Sequence, residues 1–349
     1  MNLRRVERSI FRAALLAIIG LWGCAASPID LLTQAAQEPA LPFAVYISAS
    51  RSENPSVRLK DLFVTAARRG RTFNEIVRNP SEADVRVALQ FRGEEPRWSG
   101  LEMPSALLNV FAWGAFGVLA WWLPAARYDI EQAVVLTVER DGDELYSTTY
   151  TSHPREVTFR EAYGFVASPG AYLLSLVIPP CLFPALGLEP EEERLSVLAS
   201  SRFASEAAAE LAVRLKAELK PERLSRLGEI GVDLVRFDQN LKRAFFKLYL
   251  SPDEGLLRFD VLCNGEISPE CDPASPRFRN TYNELQKLAS AAGEGKEVSY
   301  ELPALRPGRN RVRVVVEGFG RKARSFTFIV HTEGGDSSSG VGYVPLRGP

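Results

Sequence analysis

Two stretches of this 349-residue chain carry no charged residue: 103–126 and 162–188. Each exceeds the ~20 apolar residues that cross ~30 Å of hydrocarbon, so they constrain every fold the chain can adopt. Pro169, Pro179, Pro180 and Pro184 interrupt the second run and argue against a straight spanning helix there. Between the runs, residues 127–161 hold four Arg and no Lys against eight Asp plus Glu. They also contain the strand candidates Ile130–Arg140 and Glu144–Thr151, joined through Asp141-Gly142, a strong hairpin signal. Two spans would tear that hairpin from its sheet. Two arrangements stay open. The runs rest in one leaflet, with Trp113, Phe116, Trp121 and Trp122 as membrane contacts, or they form an apolar cover buried on the sheet.

Elsewhere the hydrophobic spacing reads as α+β. Phe43–Ser48 is a strand candidate, and Leu59, Leu62, Phe63 and Ala66 recur at helical spacing within Val57–Arg69. Val85, Val87, Leu89 and Phe91 alternate and line one face of a second strand. Glu191–Leu219 carries a long apolar stripe from Leu195 to Leu215, with Pro221 just past its end. These elements predict a mixed α/β sandwich domain over 43–235, with apolar inserts at 103–126 and 162–188. Residues 243–332 change character. Phe245–Leu250, Leu256–Leu262, Val298–Leu302, Asn310–Val316 and Arg324–Val330 are short strand candidates, with one helix inserted over Arg277–Ala292. Leu305-Arg-Pro-Gly-Arg-Asn310 is similar to the turn that opens a strand in many immunoglobulin-like modules, which implies a small all-β immunoglobulin-like sandwich. The Gly- and Ser-rich tail over 333–349 is expected to be disordered.

The N-terminus supplies an address. Arg4, Arg5, Arg8 and Arg12 precede the apolar run Ala13–Leu21, and Leu21-Trp22-Gly23-Cys24 follows. This pattern resembles a bacterial lipoprotein export signal ending in a lipobox: an aliphatic residue at −3, a small one at −1 and the acceptor thiol. Trp22 stands where that family prefers a small or aliphatic residue. The resemblance implies removal of residues 1–23, lipidation of Cys24, a tether over 24–42, and a lipid-anchored place in the cell envelope, on the outer membrane facing the periplasm. The ten Lys and Arg from Arg51 to Arg97 would then stay outside with Cys24, so positive-inside logic also opposes two spans. The segment from Ala204 to Lys216 resembles the closing helix of envelope lipoproteins of the curli-secretion and penicillin-binding-protein-activator types. That likeness covers roughly 43–220 and rests on element order and the lipobox.

Sites of chemistry are sparse. A net charge of −1 gives no global field for nucleic acid. His153 and His331 are the two histidines, and neither has ligand spacing to another His or Cys, so no metal and no cofactor is expected. No G-x-S-x-G elbow and no phosphate-cradling Gly loop precedes a helix. Cys263 and Cys271 flank a short Gly- and Pro-containing loop and form either a local disulfide or two separate thiols. Cys181, between prolines, reads as a small buried hydrophobe. Arg309, Arg311 and Arg313 alternate along a strand and are either an anionic-surface contact or a solvated face that discourages edge pairing. The expectation is a non-enzymatic, lipid-anchored envelope protein acting as a membrane-docked interaction or scaffold module. Its partners are membrane lipid, through Cys24 and the inserts, and an envelope protein. The alternative is an auxiliary lipoprotein that binds or shuttles lipid for an envelope transport system.

Overall fold

Alternation decides where the first sheet forms. A computed structural model of the chain describes residues 28–50, 58–93, 97–116, 122–129, 131–153, 155–163, 169–188, 192–226, 228–250, 255–319 and 322–333. The first described element is a short helix, α1 (Pro28–Ala35), followed by β1 (Leu41–Ala49), α2 (Leu59–Arg69), β2 (Phe73–Val77) and β3 (Val85–Gly93). After β4 (Arg97–Ser99), α3 (Met103–Phe116) and β5 (Pro124–Asp129) come β6 (Gln132–Arg140) and β7 (Asp143–Thr151). The sheet order is β2-β1-β3-β6-β7. β1 runs parallel to β2 and β3, with α2 making the crossover, and β3, β6 and β7 are antiparallel. Val87 sits opposite Val138 and Leu89 opposite Leu136, so the buried residues of these strands share one face. Arg86 and Gln90 lie on the other face and are exposed. Asp141 and Gly142 both have positive φ, 53° and 88°, the two-residue turn that the Asp-Gly pair favours.

Among their described residues, the uncharged runs break into short elements. The first divides into α3, about 21 Å long at ~1.5 Å per residue, and the start of β5. The second contributes part of α4 (Phe159–Tyr163), then α5 (Pro169–Ser175) and two single 3₁₀ turns at Pro180–Leu182 and Pro184–Leu186. Among the described residues, no helix is long and apolar enough to cross a membrane. β5 pairs with β4 and with β8 (Arg155–Thr158) in a second, three-stranded sheet, on which Phe159, Tyr163 and Phe183 stack with centroids 5.0–5.6 Å apart. The long helix α6 (Glu192–Glu218) packs against α2 and carries Phe203 onto Phe91 and Tyr150 of the first sheet, at 6.0 and 5.7 Å.

After α7 (Pro221–Arg226), β9 (Gly231–Asp238) and β10 (Arg243–Tyr249) pair, with β13 (Glu297–Glu301) on the other edge of β10. The order β12-β11-β14-β15 makes a four-stranded sheet from β11 (Leu256–Cys263), β12 (Glu266–Ile267), β14 (Gly308–Gly318) and β15 (Arg324–Thr332), and α8 (Tyr282–Gly293) packs beside it. The two sheets meet through Phe246, Phe259, Phe328 and Tyr300, with centroids 5.0–6.4 Å apart. The chain is thus α+β, with several sheets. β9 belongs with the second sheet system, which therefore begins at Gly231, ahead of the expected 243. A second difference lies at 28–35. That stretch, expected as tether, is helix because Leu32 and Ala35 find buried places beside α6 and α2.

An apolar layer built from two inserts

The exposed side of α3 is made of Met103, Leu107 and Phe111, spaced four residues apart, with Val110 three residues after Leu107, all 40–73% exposed. The opposite side is polar where polarity has a task. Asn109 is fully buried; its Nδ2 donates to the Pro124 carbonyl at 2.7 Å, and its Oδ1 accepts the Cys181 amide at 3.3 Å. One amide side chain therefore joins α3 to β5 and to the second insert. Trp113 adds a second joint, its indole N–H donating to the Ser175 carbonyl at 2.6 Å. The Cys181 thiol lies 3.7 Å from the Ala106 carbonyl, and burial pushes its pKa up. Cys181 is a buried small side chain, as its setting between prolines implied.

The second insert, joined to α3 by these bonds, carries exposed apolar side chains of its own. Leu173, Leu176, Val177, Leu182, Leu186 and Leu188 are all exposed, and the Tyr163 hydroxyl donates to the Leu188 carbonyl at 2.7 Å. Around this layer stand charges and an aromatic. Arg160 lies 4.7 Å over the ring of Trp122, Arg127 pairs with Glu102, and Ser105 donates to Glu156. Of the expected membrane contacts, Trp122 is exposed at this rim. Trp113 is half-buried and holds the inserts together. The side chain of Phe116, Trp121 and the expected lipidation site Cys24 lie outside the described residues. Exposed apolar side chains that the sequence did not single out are Met103, Leu107, Phe111, Leu173, Leu176 and Val177. The helical spacing of the first three was a usable signal, but the Trp cluster drew attention away from it.

The basic stripe lies elsewhere. Arg309 Nη2 is 3.1 Å from Glu75 Oε1, Arg311 Nε is 3.0 Å from Glu75 Oε2, and Arg313 Nη2 is 4.0 Å from Asp84 Oδ1. The stripe therefore pairs with carboxylates of the first sheet's own β2–β3 region while its guanidinium side chains stay 37–54% exposed. Arg324 completes this seam, gripping Glu229 with two 3.0 Å contacts and Asp141 with one of 2.7 Å. Burial pulls Arg324 down, yet its bonds to Glu229 and Asp141 leave it above its ordinary value. Arg140 is buried between Phe43 and Phe326, 5.4 and 4.7 Å from their centroids, and donates to the Ser325 carbonyl at 2.6 Å. Burial, with Arg324 nearby, lowers Arg140 to about 10.

Cys263 and Cys271 are separate buried thiols in this structure. Cys271 Sγ lies 3.4 Å from both the Phe259 carbonyl and the Val261 amide. Burial raises Cys263 to about 11 and Cys271 to about 12, so neither is a nucleophile near neutral pH. Ser152, His153 and Glu206 line a shallow recess with space for about one water. There Glu206 is held by Arg155, and Ser152 Oγ accepts the Gln132 amide at 3.2 Å. That places the carboxylate on an arginine rather than behind a histidine, which is not the geometry of a triad. Among the described residues no group of three or more His, Cys, Asp or Glu is placed to hold a metal.

No protein-family model matches the chain, and no curated protein matches it. Among solved structures, a neuraminyllactose-binding hemagglutinin homolog from Helicobacter pylori aligns over 55% of this chain and 90% of its own length, at 10% identity and a TM-score of 0.29. At that score the likeness carries no argument about this chain.

Proposed function

We propose that this chain is a non-enzymatic lipid-anchored protein of the cell envelope, acylated at Cys24, that docks on the bilayer through its two-insert layer. Its C-terminal sheets form an immunoglobulin-like module held out toward a protein partner. The observation that carries this reading is the layer itself: ten exposed apolar side chains from two separate uncharged runs. Soluble surfaces seldom gather so many. Fully withdrawing a Leu or Phe side chain from water is worth ~1.5–3 kcal/mol, so even half-withdrawal of several makes a useful second membrane signal beside an acyl chain. The side chains point outward, which supports docking over a groove that encloses a lipid for transport.

The test uses the full chain and vesicles of phosphatidylethanolamine and phosphatidylglycerol. Labelling with a palmitate analogue should be lost in Cys24→Ala. The Cys24→Ala protein should still partition measurably onto vesicles, and adding Phe111→Asp with Val177→Asp should reduce that partition about a hundredfold. Labelling that persists in Cys24→Ala sinks the anchor. Partition that ignores the two aspartates sinks the docking layer.

A further inference from the structure

The five-stranded sheet has one covered edge and one open edge. At β2, Asn74 Nδ2 donates to the Thr327 carbonyl of β15 at 2.9 Å, and Glu75 meets Arg309 and Arg311 of β14. β7 closes the other side, and among the described residues no strand pairs with its outer edge. Open edges invite pairing with another chain, and proteins commonly blunt them with Lys, Pro or a bulge. β7 is blunted at one end. Asp143 and Glu144 are exposed there, and the pairing with β6 slips by one residue at Leu145, a bulge that bends the strand. Beyond it, Tyr146-Ser-Thr-Thr-Tyr-Thr151 has no charge, Pro or Gly and is rich in residues that favour strands. Tyr146, Thr148 and Tyr150 stand opposite Val138, Leu136 and Val134 and are half-buried, while Ser147, Thr149 and Thr151 on the other face are exposed.

We propose that this edge pairs with the same edge of a second copy, antiparallel about a two-fold axis at Thr148, joining two five-stranded sheets into one. The proposal is independent of the anchor and of the apolar layer. A two-fold interface must be self-complementary, and β7 meets that demand. Reversed about Thr148, Tyr146 faces the partner's Tyr150 and Ser147 faces the partner's Thr149. Aromatic and hydroxyl pairs of these kinds favour adjacent strands. Charge sets the register. Sliding toward the turn would bring Asp143 and Glu144 of the two copies together, and like charges opposed across strands repel. Centred on Thr148, the acidic ends lie apart, each beside the partner's basic end, where His153 is exposed and the Arg155 side chain is 41% exposed. The regular stretch is six residues a side, Tyr146–Thr151, against ~20–30 in a standard interface. The dimer is therefore weak and concentration-dependent.

The experiment takes the full chain in detergent micelles, which cover the apolar layer, and follows sedimentation from ~1 to ~300 μM, the range of weak complexes. The dimer fraction should rise across that range. Ser147→Lys with Thr149→Lys sets four ammonium groups on one face of the paired strands and should weaken association about tenfold or more. Both positions are exposed, so the urea midpoint should hold. In Thr148→Cys the two thiols would meet across the axis, with Cα atoms ~4.5–5.5 Å apart, within disulfide reach. Mild oxidation should then cross-link two copies well above the wild-type level, where Cys181, Cys263 and Cys271 are buried. In Glu144→Cys the thiols would lie ~20 Å or more apart and should not cross-link. A chain that stays monomeric throughout, with no link at Thr148→Cys, overturns the proposal and leaves the edge to a strand of a different protein. Association that ignores the two lysine substitutions overturns the edge as the interface. Linking as ready in Glu144→Cys as in Thr148→Cys overturns the register.

Discussion

The seam between the two sheet systems and the layer of inserts invert each other. At the seam, charged groups are inside: Arg140 is buried, Arg324 nearly so, and each has specific oxygen partners. At the layer, apolar groups are outside, and the polar groups beneath them, Asn109 and the Trp113 N–H, bind the inserts to one another. A buried guanidinium demands a fixed partner, because an uncompensated buried charge is costly. An exposed leucine demands none, and any apolar surface satisfies it. The seam therefore reads as an internal joint already closed, and the layer as a surface whose counterpart is another body.

The largest effect should come from the joint. Arg140→Ala leaves the Ser325 carbonyl without its donor and empties the slot between Phe43 and Phe326. A loss of ~3–5 kcal/mol is expected, read from the urea midpoint. Arg140→Met keeps the aromatic packing and should recover part of it. A loss under ~1 kcal/mol would mean that the two sheet systems are held by something other than this joint.

Next comes the underside of the layer. Asn109→Ala strands the Pro124 carbonyl and the Cys181 amide in a buried place, at ~2–3 kcal/mol. Because these bonds join the two inserts, the damage should be local, with hydrogen exchange rising over 171–188 while Val134–Val138 stays protected. Uniform loss of protection would show the layer to be part of the main core, and would erase the contrast with the seam.

Much of the fold was legible because period-two alternation and helical stripes leave unambiguous marks. Val85 to Phe91, the Asp141-Gly142 turn and the stripe on α6 all appear where the spacing put them. What was not legible depends on partners distant in sequence. Arg309 to Arg313 looked like a free basic stripe, since nothing nearby announces Glu75, more than two hundred residues earlier. Nothing in the sequence marks Lys216, and only the return of residues 35, 38 and 70 makes it a buried donor. The layer was half legible. Absence of charge marked both inserts, but which side chains turn outward was set by Asn109 and Trp113, whose bonds cross between the two runs.

The smallest stability effects should separate the two regions most sharply. Phe111→Ser removes an exposed ring, and Arg309→Ala removes one partner of an exposed ion pair with Glu75. Each should change unfolding by ~0.5 kcal/mol or less, so denaturation alone will not tell them apart. Partition onto anionic vesicles will. Phe111→Ser should weaken it about tenfold, since one half-buried aromatic is worth ~1–1.5 kcal/mol at an apolar interface, and the loss should persist at high salt. Arg309→Ala should leave partition unchanged, because its guanidinium already faces a carboxylate of the same chain. The reverse pattern, with Arg309→Ala weakening a binding that salt also abolishes, would return the basic stripe to the membrane and leave the apolar layer to a protein partner.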